Sequence, residues 1–568
     1  MEQLSGAQIL VQALLEQGID TVFGYPGGMV LDIYDALYDH RDQIRHVETT
    51  HEQHAAHAAD GYARSTGRTG VVIATSGPGA TNLVTGIAAA HLDSVPLVAI
   101  TGNVANGSIG TDAFQELDIT GVTLPITKHN YFVHDVEQLH HIVREAFALA
   151  ASGRPGPVLI DIPKDVQVAT CDFEPAAPLP VAEPTAPEED VLRKAAELIG
   201  RARRPYIYFG GGVVTSGAGE LVAQLAERID APMGCSLMGL SAVPSDNPRF
   251  LGMQGMHGHY ASTMAMHRAD CVIALGVRFN ERATGDRGAL IPDAKIIRVD
   301  VDSSEFSKTT VDRCDLLGDV RLTLERLMPL VKARTHPAWH LAVSGFVADE
   351  KGLADSRDGL VPARIMEVLD RHLAPDTIVV TDVGQHQMWA AQHLHRSVPR
   401  TFVTSGGLGA MGFGLGAAIG AQLATGRRVV LVTGDGSFAM NMAELITAAD
   451  NQVPVAVLLL NNRTLGMVRQ QQTVLFGGRH SCTTLDRVVD YAGVARAMGA
   501  VAYSVASLHE LDQALDVALA TDGPTLVECP VGIDELVLPM LVGAGDDERA
   551  IVSPDDIDYK AGAADEDL

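Results

Sequence analysis

Two short polar segments of this chain combine a carboxylate and an amide with neighbouring glycines. Gly434-Asp435-Gly436-Ser437 follows the apolar run 429–432, and Asn461-Asn462 follows the apolar run 455–460. Apolar runs of this length are typical of buried strands, and the carboxyl ends of parallel strands meet at one edge of a sheet. We therefore expect Asp435 and Asn462 to lie together, with a helix over 442–450 between their strands.

Carboxylate and amide oxygens suit Mg²⁺, which takes few protein ligands and completes its coordination with water and substrate phosphates. Glycines beside Asp435 would let backbone N–H groups approach a diphosphate. An ordinary strand–helix–strand unit with turn glycines and a capping asparagine is the alternative interpretation. The pattern predicts a Mg²⁺ and diphosphate site.

Residues 50–57, Thr-His-Glu-Gln-His-Ala-Ala-His, form a second group that could carry chemistry. The metal-binding motif HExxH would need its second histidine at position 55, which is Ala55, so the spacing does not favour a metal site. A solvated glutamate on a helix face is the other simple interpretation of Glu52.

Length and charge restrict the function classes. At about 150 residues per domain, 568 residues predict three or four domains. The net charge of −28 argues against non-specific binding to nucleic acid or anionic membranes. The start has no basic segment followed by an apolar stretch, and no run reaches the roughly 18 apolar residues of a membrane span, so we expect a cytoplasmic protein. Six dispersed cysteines without CxxC predict buried free thiols.

Alternating strand and helix patterns predict three α/β domains with doubly wound parallel sheets. The predicted domains are 1–168, 190–335 and 360–542, joined after the first by a Pro-, Ala- and acid-rich linker and followed by an acidic, solvated tail over 543–568. Outside the segments already named, strands are predicted near 71–75, 97–101, 158–162, 206–209, 272–275 and 296–301, and a helix over 6–17.

Several segments resemble one enzyme family. GDGS followed by NN at this spacing resembles the thiamine diphosphate (ThDP) signature, and 24–28, 50–64 and 75–82 resemble the pyrimidine-binding domain of acetohydroxyacid synthase (acetolactate synthase). Eight further blocks in family order, among them HLDSVPLVAITG from His91 and SGGLGAMGFG from Ser405, extend the similarity to about residue 539. The chain is identified as a member of this family, resembling its catalytic large subunit.

The resemblance implies a role for each site residue. Glu52 would share a proton with N1′ of the aminopyrimidine and so activate the coenzyme, and Met411 would hold ThDP bent, although a plain core methionine is the alternative. The keto-acid pocket would contain Gly28, Phe114, Gln115 and Lys164, with Arg282 at the carboxylate of the second keto acid. The implied ThDP contacts are Pro26, Gly384, Gln385, His386, Gly409, Gly434, Asp435, Gly436, Ser437, Gly466 and Met467, with Thr464 joining Asp435 and Asn462 at Mg²⁺.

The second domain resembles the FAD-binding domain of the same family, although related carboligases keep this domain without flavin. Glycines at strand ends permit close approach to a pyrophosphate, and strand-end aspartates can accept hydrogen bonds from ribose hydroxyls. The implied FAD contacts are Arg154, Gly210, Gly211, Gly212, Leu237, Met238, Met256, His257, Gly276, Arg278, Asn280, Arg282, Asp300, Asp319 and Val320.

The family implies a transferase that decarboxylates pyruvate and joins the two-carbon unit to a second 2-keto acid, in branched-chain amino acid biosynthesis. It also implies a homodimer or homotetramer with sites between chains. Whether a regulatory small subunit binds is left open. A related ThDP-dependent decarboxylase, a pyruvate oxidase and a non-catalytic scaffolding paralogue are the alternatives. Gln471 stands where the family has a tryptophan that favours 2-ketobutyrate over pyruvate, so the acceptor is open.

Overall fold

The computed structural model describes residues 2–284, 294–308, 313–353, 357–486, 488–542 and 549–557. These residues form three six-stranded sheets in which all neighbouring strands are parallel, and two small antiparallel pairs. The predicted fold class, three doubly wound parallel α/β units, is confirmed.

The strands are β1 Glu2–Ser5, β2 Thr21–Tyr25, β3 Arg45–Glu48, β4 Gly70–Ala74, β5 Leu97–Asn103, β6 His129–Phe132, β7 Pro157–Pro163, β8 Thr170–Phe173, β9 Pro205–Phe209, β10 Met233–Cys235, β11 Phe250–Met253, β12 Cys271–Leu275, β13 Lys295–Asp300, β14 Arg313–Leu317, β15 Ile378–Thr381, β16 Phe402–Val403, β17 Val429–Gly434, β18 Val455–Asn461, β19 Val501–Ser504, β20 Thr525–Pro530, β21 Met540–Val542 and β22 Arg549–Ile551.

The helices are α1 Gly6–Glu16, α2 Leu31–Asp39, α3 Glu52–Thr66, α4 Pro78–Asn82, α5 Val84–Asp93, α6 Ile119–Thr123, α7 Val136–Ala151, α8 Lys164–Val168, α9 Glu189–Arg201, α10 Gly211–Ser216, α11 Gly219–Ile229, α12 Tyr260–His267, α13 Glu281–Thr284, α14 Val320–Leu327, α15 Pro337–Gly352, α16 Pro362–His372, α17 Gln385–His393, α18 Gly414–Thr425, α19 Asp435–Asn441, α20 Glu444–Asp450, α21 Gly466–Leu475, α22 Tyr491–Ala497 and α23 Leu508–Ala520.

The first and third sheets have the same topology. Their strand orders are β3-β2-β4-β5-β7-β6 and β16-β15-β17-β18-β20-β19, whereas the second sheet has the order β11-β10-β9-β12-β13-β14. The strand order reverses between β2 and β4, between β9 and β12, and between β15 and β17. Open α/β sheets bind ligands outside the carboxyl ends of the strands at such reversals, so the topology provides three places for a site.

The strands predicted from apolar runs are confirmed within one or two residues, because central parallel strands are buried on both faces and read as continuous apolar sequence. The predicted helix over 442–450 differs in its start. Helix α19 begins at Asp435, directly after β17, and α20 follows from Glu444. The predicted linker begins with strand β8, which pairs with β1 and buries Phe173.

The solvated-tail prediction is wrong for residues 549–557. Strand β22 pairs antiparallel with β21, and Ile551 and Ile557 are buried with Met540 against Met256 and Val474. Apolar side chains within an acidic segment account for the difference. Residues 543–548 and 558–568 of the predicted tail lie outside the described residues.

Helix α15 lies beyond the predicted end of the second domain at residue 335 and packs on that domain. Its Trp339 and Val343 are buried in the cluster that contains Tyr206 and Tyr208 of β9. The indole N–H of Trp339 donates to the carbonyl of Pro205 at 3.0 Å. The second sheet is therefore covered by a helix that the sequence patterns did not assign to it.

Six cysteines are free in this structure. Cys235, Cys271, Cys314 and Cys529 are buried as predicted, but Cys482 is exposed and Cys171 is partly exposed. Among the helices of the described ranges, none has the length and apolar character needed to span a bilayer.

Helix α3 of the first domain crosses α18 of the third domain at very short distance. A Cβ atom on Gly61 would lie 2.1 Å from the carbonyl oxygen of Ala417, and one on Gly420 would lie 1.8 Å from that of Ala58. The distance between packed helices depends on the side chains at the contact, so these glycines allow the backbones to meet. The crossing fixes the first and third domains against each other within one chain.

Replacing Gly61 by alanine should separate α3 from α18, since the new Cβ would collide with backbone. We expect the free energy of unfolding to fall by about 1–3 kcal/mol, measured by urea denaturation. Gly200→Ala in α9 is the matched control, because a Cβ there meets nothing within 4 Å. That control should be neutral or stabilising by up to about 1 kcal/mol, and equal losses in both variants would contradict the packing argument.

Candidate functional site

A small cavity of about 60 Å³ lies at the strand-order reversal of the third sheet, beyond the ends of β15 and β17. The candidate residues in its wall are Gly384, Gln385, His386, Met411, Gly434, Asp435, Gly436, Ser437, Asn462, Thr464, Gly466 and Met467. Asp435 begins α19 directly after β17, and Asn462 follows β18. The structure thus brings the carboxylate and the amide to one cavity.

Hydrogen bonds hold the side chains of this small cavity in place. Gln385 accepts from Asn462 Nδ2 at 3.2 Å and donates to Gln470 Oε1 at 3.0 Å and to the carbonyl of Glu535 at 2.7 Å. Thr464 donates its hydroxyl to the carbonyl of Thr483 at 2.8 Å, and its backbone N–H donates to Asn462 Oδ1. The amide of Asn462 is therefore oriented before any ligand binds.

The donor set of this cavity fits a diphosphate with a hard cation. His386 Nε2 is buried, and no described group hydrogen-bonds it. Burial lowers the pKa of His386 to about 3, so the imidazole is neutral and one ring nitrogen can donate to a phosphate oxygen. Within the described ranges no three His, Cys, Asp or Glu side chains are grouped to hold a metal. An ion here would use few protein ligands, as Mg²⁺ does.

The turn that carries Met411 is held by two buried residues that sequence analysis missed. Asp382 Oδ1 accepts from the N–H of Gly412 at 2.9 Å. Asn441 Nδ2 donates to Asp382 Oδ2 at 3.2 Å and to the carbonyl of Gly412 at 3.1 Å. Gly412 has φ +85°, a conformation that glycine adopts without strain. A charged residue directly after the apolar run of β15 was the signal available in the sequence.

A larger cavity of about 730 Å³ is lined by residues from all three domains. The candidates in its wall are Arg154, Gly211, Gly212, Leu237, Met238, Met256, His257, Gly276, Arg278, Asn280, Arg282, Asp300, Asp319, Val320, Gly384, Gly409, Met411 and Met467. Gly210 is not in this wall. Gly384, Met411 and Met467 belong to the walls of both cavities, so the two cavities adjoin.

Glycines and one buried acid define the second-sheet side of the larger cavity. A Cβ on Gly212, after β9, would lie 2.6 Å from the Cα of Gly276, which follows β12 with φ +52°. The carboxylate of Asp300 ends β13 and accepts from the N–H of Asp302 at 2.9 Å, and burial raises the pKa of Asp300. Asp319 instead caps α14 by accepting from the N–H of Leu322 at 3.0 Å. This volume, with close glycines and a strand-end acid, fits a dinucleotide.

Arginines on this cavity have different surroundings. Arg154 binds Glu305 at 2.9 Å and Asp302 at 3.2 Å, and so joins the first domain to the second. Arg278 donates to the carbonyl of Leu92. Arg282 is exposed on the cavity wall, where its guanidinium lies 3.4 Å from Met256 Sδ, and its backbone N–H is held by Asn280 Oδ1 at 2.9 Å. Arg154 and Arg278 therefore connect domains, whereas Arg282 presents a cation to the cavity.

The remaining first-domain candidates lie at the carboxyl edge of the first sheet. They are Pro26, Gly28, Glu52, Phe114, Gln115 and Lys164, and none is among the described residues that line the two cavities. Glu52 is 9% exposed and accepts from Asn82 Nδ2 at 2.9 Å. Lys164 pairs with Asp32. Gln115, whose φ is +62°, packs on Gly77. Phe114 is 82% exposed. In one chain this set therefore lies outside the walls of both cavities.

Arg64 and Asp93 form a buried pair that sequence analysis also missed. Asp93 accepts from the N–H groups of Gly407 at 2.7 Å and Gly406 at 3.0 Å, and from Arg64 Nη2 at 3.0 Å. Arg64 also donates to the carbonyl of Thr404 at 2.9 Å and pairs with Asp60. The pair ties the first domain to the loop that leads to Met411, a residue that lies in the walls of both cavities.

Comparisons with known proteins agree with this architecture. Three family profiles match in chain order: "Thiamine pyrophosphate enzyme, N-terminal TPP binding domain" at residues 4–122, "central domain" at 192–327 and "C-terminal TPP binding domain" at 382–529. The acetolactate synthase of Mycobacterium bovis is 44% identical over 567 residues, which cover 96% of this chain and 91% of the relative. The chain belongs to the acetolactate synthase large-subunit family of thiamine pyrophosphate enzymes.

Other members of the acetolactate synthase family are equally similar. The isozyme 2 large subunit of Escherichia coli K12 is 45% identical over 537 residues, covering 94% of this chain and 96% of the relative. The large subunit of Corynebacterium glutamicum is 44% identical over 579 residues, covering 99% of this chain and 91% of the relative. The predicted membership of an enzyme family with thiamine pyrophosphate-binding domains is confirmed.

Replacing Asp93 by asparagine should loosen the loop that Asp93 holds. One carboxylate oxygen becomes an amide donor facing an N–H group, and Arg64 loses a buried partner. We expect the free energy of unfolding to fall by about 3–5 kcal/mol, measured by urea denaturation. Glu197→Gln, which removes the exposed Arg201 pair, is the control and should cost no more than about 1 kcal/mol. A loss of unfolding free energy in Asp93→Asn no larger than that in the control would contradict the argument that Asp93 holds this loop.

Proposed function

We propose that this protein is an acetolactate synthase catalytic subunit, which decarboxylates pyruvate and joins the two-carbon unit to a second 2-keto acid in branched-chain amino acid biosynthesis. The observation that carries the proposal is the wall shared by the two cavities. Met411 separates the cavity of Asp435 and Asn462 from a cavity that holds the exposed guanidinium of Arg282. A site for carboligation needs such a second binding place, for the acceptor.

The proposed coenzyme arrangement follows from the donors present. When bound, thiamine diphosphate supplies the nucleophilic carbon and the electron sink for decarboxylation. Asp435, Asn462 and Thr464 would hold Mg²⁺ on the diphosphate, and His386 would donate to it. Glu52 would share a proton with N1′ of the aminopyrimidine, which lets the 4′-nitrogen accept the proton of the reacting carbon. Arg282 would bind the acceptor carboxylate through its planar guanidinium.

We propose FAD as the occupant of the second-sheet side of the larger cavity, supported by the approach of Gly212 to Gly276 and by the strand-end carboxylate of Asp300. Phe114, Gln115 and Lys164 would face the keto acid. A regulatory small subunit is proposed from the large-subunit family alone, and a cytoplasmic location from the sequence.

A homodimer, alone or within a homotetramer, is proposed because the catalytic acid and the diphosphate cavity lie apart in one chain. Large apolar side chains are exposed on the first domain, including Phe114, Leu124 and Tyr38. Burying such apolar side chains against a partner chain would be favourable. A partner chain would cover them and bring its third domain to Glu52.

Replacing Glu52 by glutamine should leave ThDP binding unchanged, measured by calorimetry with Mg²⁺ present. We expect acetolactate formation to fall by about 100-fold or more, because proton transfer to the aminopyrimidine is lost. Glu137→Gln, at an exposed position in the first turn of α7, is the matched control and should keep normal turnover. Acetaldehyde, or acetyl phosphate with peroxide, as the wild-type product would instead favour a decarboxylase or an oxidase.

Mixing two inactive variants tests the site between chains. Glu52→Gln and Asp435→Asn chains, unfolded and refolded together, should recover about a quarter of wild-type activity, since half of the dimers would be mixed and each would have one intact site. The same variants refolded separately are the control. No recovery, with dimers present by light scattering, would place both residues of a site in one chain.

Replacing Gln471 by tryptophan should shift the acceptor preference toward 2-ketobutyrate. The indole would add apolar surface to the larger cavity that Gln471 lines, and an added methylene contact changes selectivity about tenfold. The ratio of the two acetohydroxy acids formed from equal acceptor concentrations measures the shift. Gln471→Ala adds no apolar surface and should show no gain, and an equal shift in both variants would contradict the argument.

A further inference from the structure

Glu444 is a completely buried carboxylate that joins two domains. It begins α20 in the third domain, yet most of its contacts come from the first domain. The backbone N–H of Thr50 donates to both of its oxygens, at 3.1 and 3.2 Å, and the Thr50 hydroxyl donates to Oε1. His54 Nδ1 lies 3.0 Å from Oε1, and Thr447 donates to Oε2 at 2.6 Å.

These donors stabilise the ionised form of the buried group. Burial raises the pKa of Glu444, but the hydrogen bonds from His54, Thr447 and Thr50 outweigh burial and hold the pKa below its ordinary value. An ionised carboxylate whose partners converge from two domains is costly to separate from them, since each lost donor leaves buried charge unpaired. The contact is therefore rigid.

The residues that Glu444 holds stand on either side of Glu52. Thr50 lies two positions before Glu52, and His54 lies two positions after it, in the first turn of α3. His51 caps the helix by accepting from the N–H of Gln53 at 3.1 Å. The carboxylate of Glu52 has Asn82 as a partner in its own domain. Glu444 thus holds the residues on both sides of Glu52 at the start of α3.

We propose that Glu444 is a positioning residue for Glu52, acting through Thr50 and His54 to fix the first turn of α3. This inference rests on the proposed role of Glu52. A displacement of about 1 Å at a reacting group can cost 100-fold in rate, so a small release of the turn would slow turnover. Because Glu444 lies nine positions after Asp435 in the same chain, it also ties that turn to the third domain.

The test begins with Glu444→Gln, which keeps the side-chain size but removes the charge and one acceptor. Amide hydrogen exchange measured by mass spectrometry on the coenzyme-free protein should be faster in the peptide spanning 49–55. In the loaded enzyme, kcat should fall about 10- to 100-fold, while KM for pyruvate and the Kd for ThDP stay within about threefold. A kcat within about twofold of wild type would overturn the proposal, as would a rise of KM and Kd that accounts for the loss.

Glu350→Gln is the matched control. Glu350 also joins two elements by accepting from a histidine ring nitrogen, His259 Nδ1 at 2.7 Å, and from a backbone N–H, that of Ala261 at 3.1 Å, but within the second domain. This variant should lower Tm without changing kcat. An equal loss of kcat in both variants would reduce Glu444 to a general packing contact and overturn the proposal.

A double variant separates this inference from the proposed function. In the Glu52→Gln background, Glu444→Gln should lower the residual kcat by less than about twofold, because its effect passes through Glu52. A further loss of kcat as large as that of Glu444→Gln in the wild-type background overturns the positioning role, and the role of Glu52 still stands. Normal turnover in Glu52→Gln alone overturns both. If Glu444→Gln does not fold, Thr50→Ala replaces it and should lower kcat about 3- to 10-fold, with recovery in Thr50→Ser.

Discussion

Helix α3 is attached to the third domain along its whole length, and the candidate site depends on this attachment. His54 meets Glu444 in the first turn, Gly61 lies against Ala417 in the middle, and Arg64 reaches the carbonyl of Thr404 near the end. The contacts combine a buried histidine–carboxylate contact, a close backbone crossing and a hydrogen bond to a carbonyl. Neither domain can rotate against the other without breaking several of them.

The three sheets place their site residues by one rule. Pro26 follows β2 and Thr75 follows β4. Gly210 follows β9 and Gly276 follows β12, and Asp382 follows β15 and Asp435 follows β17. In each sheet the strand order reverses between the two strands named. Neighbouring loops diverge at such a reversal and leave a crevice. The glycines after these strands let backbone approach a ligand, while buried acids such as Asp382 hold the loops.

Much of this arrangement could be predicted from the sequence, because its signals are local. Continuous apolar runs locate the central strands, and the glycines with Asp435 and Asn462 locate the small cavity. The residues that hold the loops escaped prediction because their partners are distant: 394 positions separate Thr50 from Glu444, and 313 separate Asp93 from Gly406. Family resemblance named the residues of the first sheet and implied that sites lie between chains. No local pattern of the sequence encodes that arrangement, because it is a property of assembly.

The antiparallel pair of β21 and β22 has a practical consequence for handling the protein. The N–H of Leu541 donates to the carbonyl of Met256 at 2.9 Å, so this hairpin is fastened to a residue in the wall of the larger cavity. A version of the protein that stops before Arg549 would lack β22 and expose Met540. Crystallisation trials that trim the carboxyl end should therefore cut beyond Ile557.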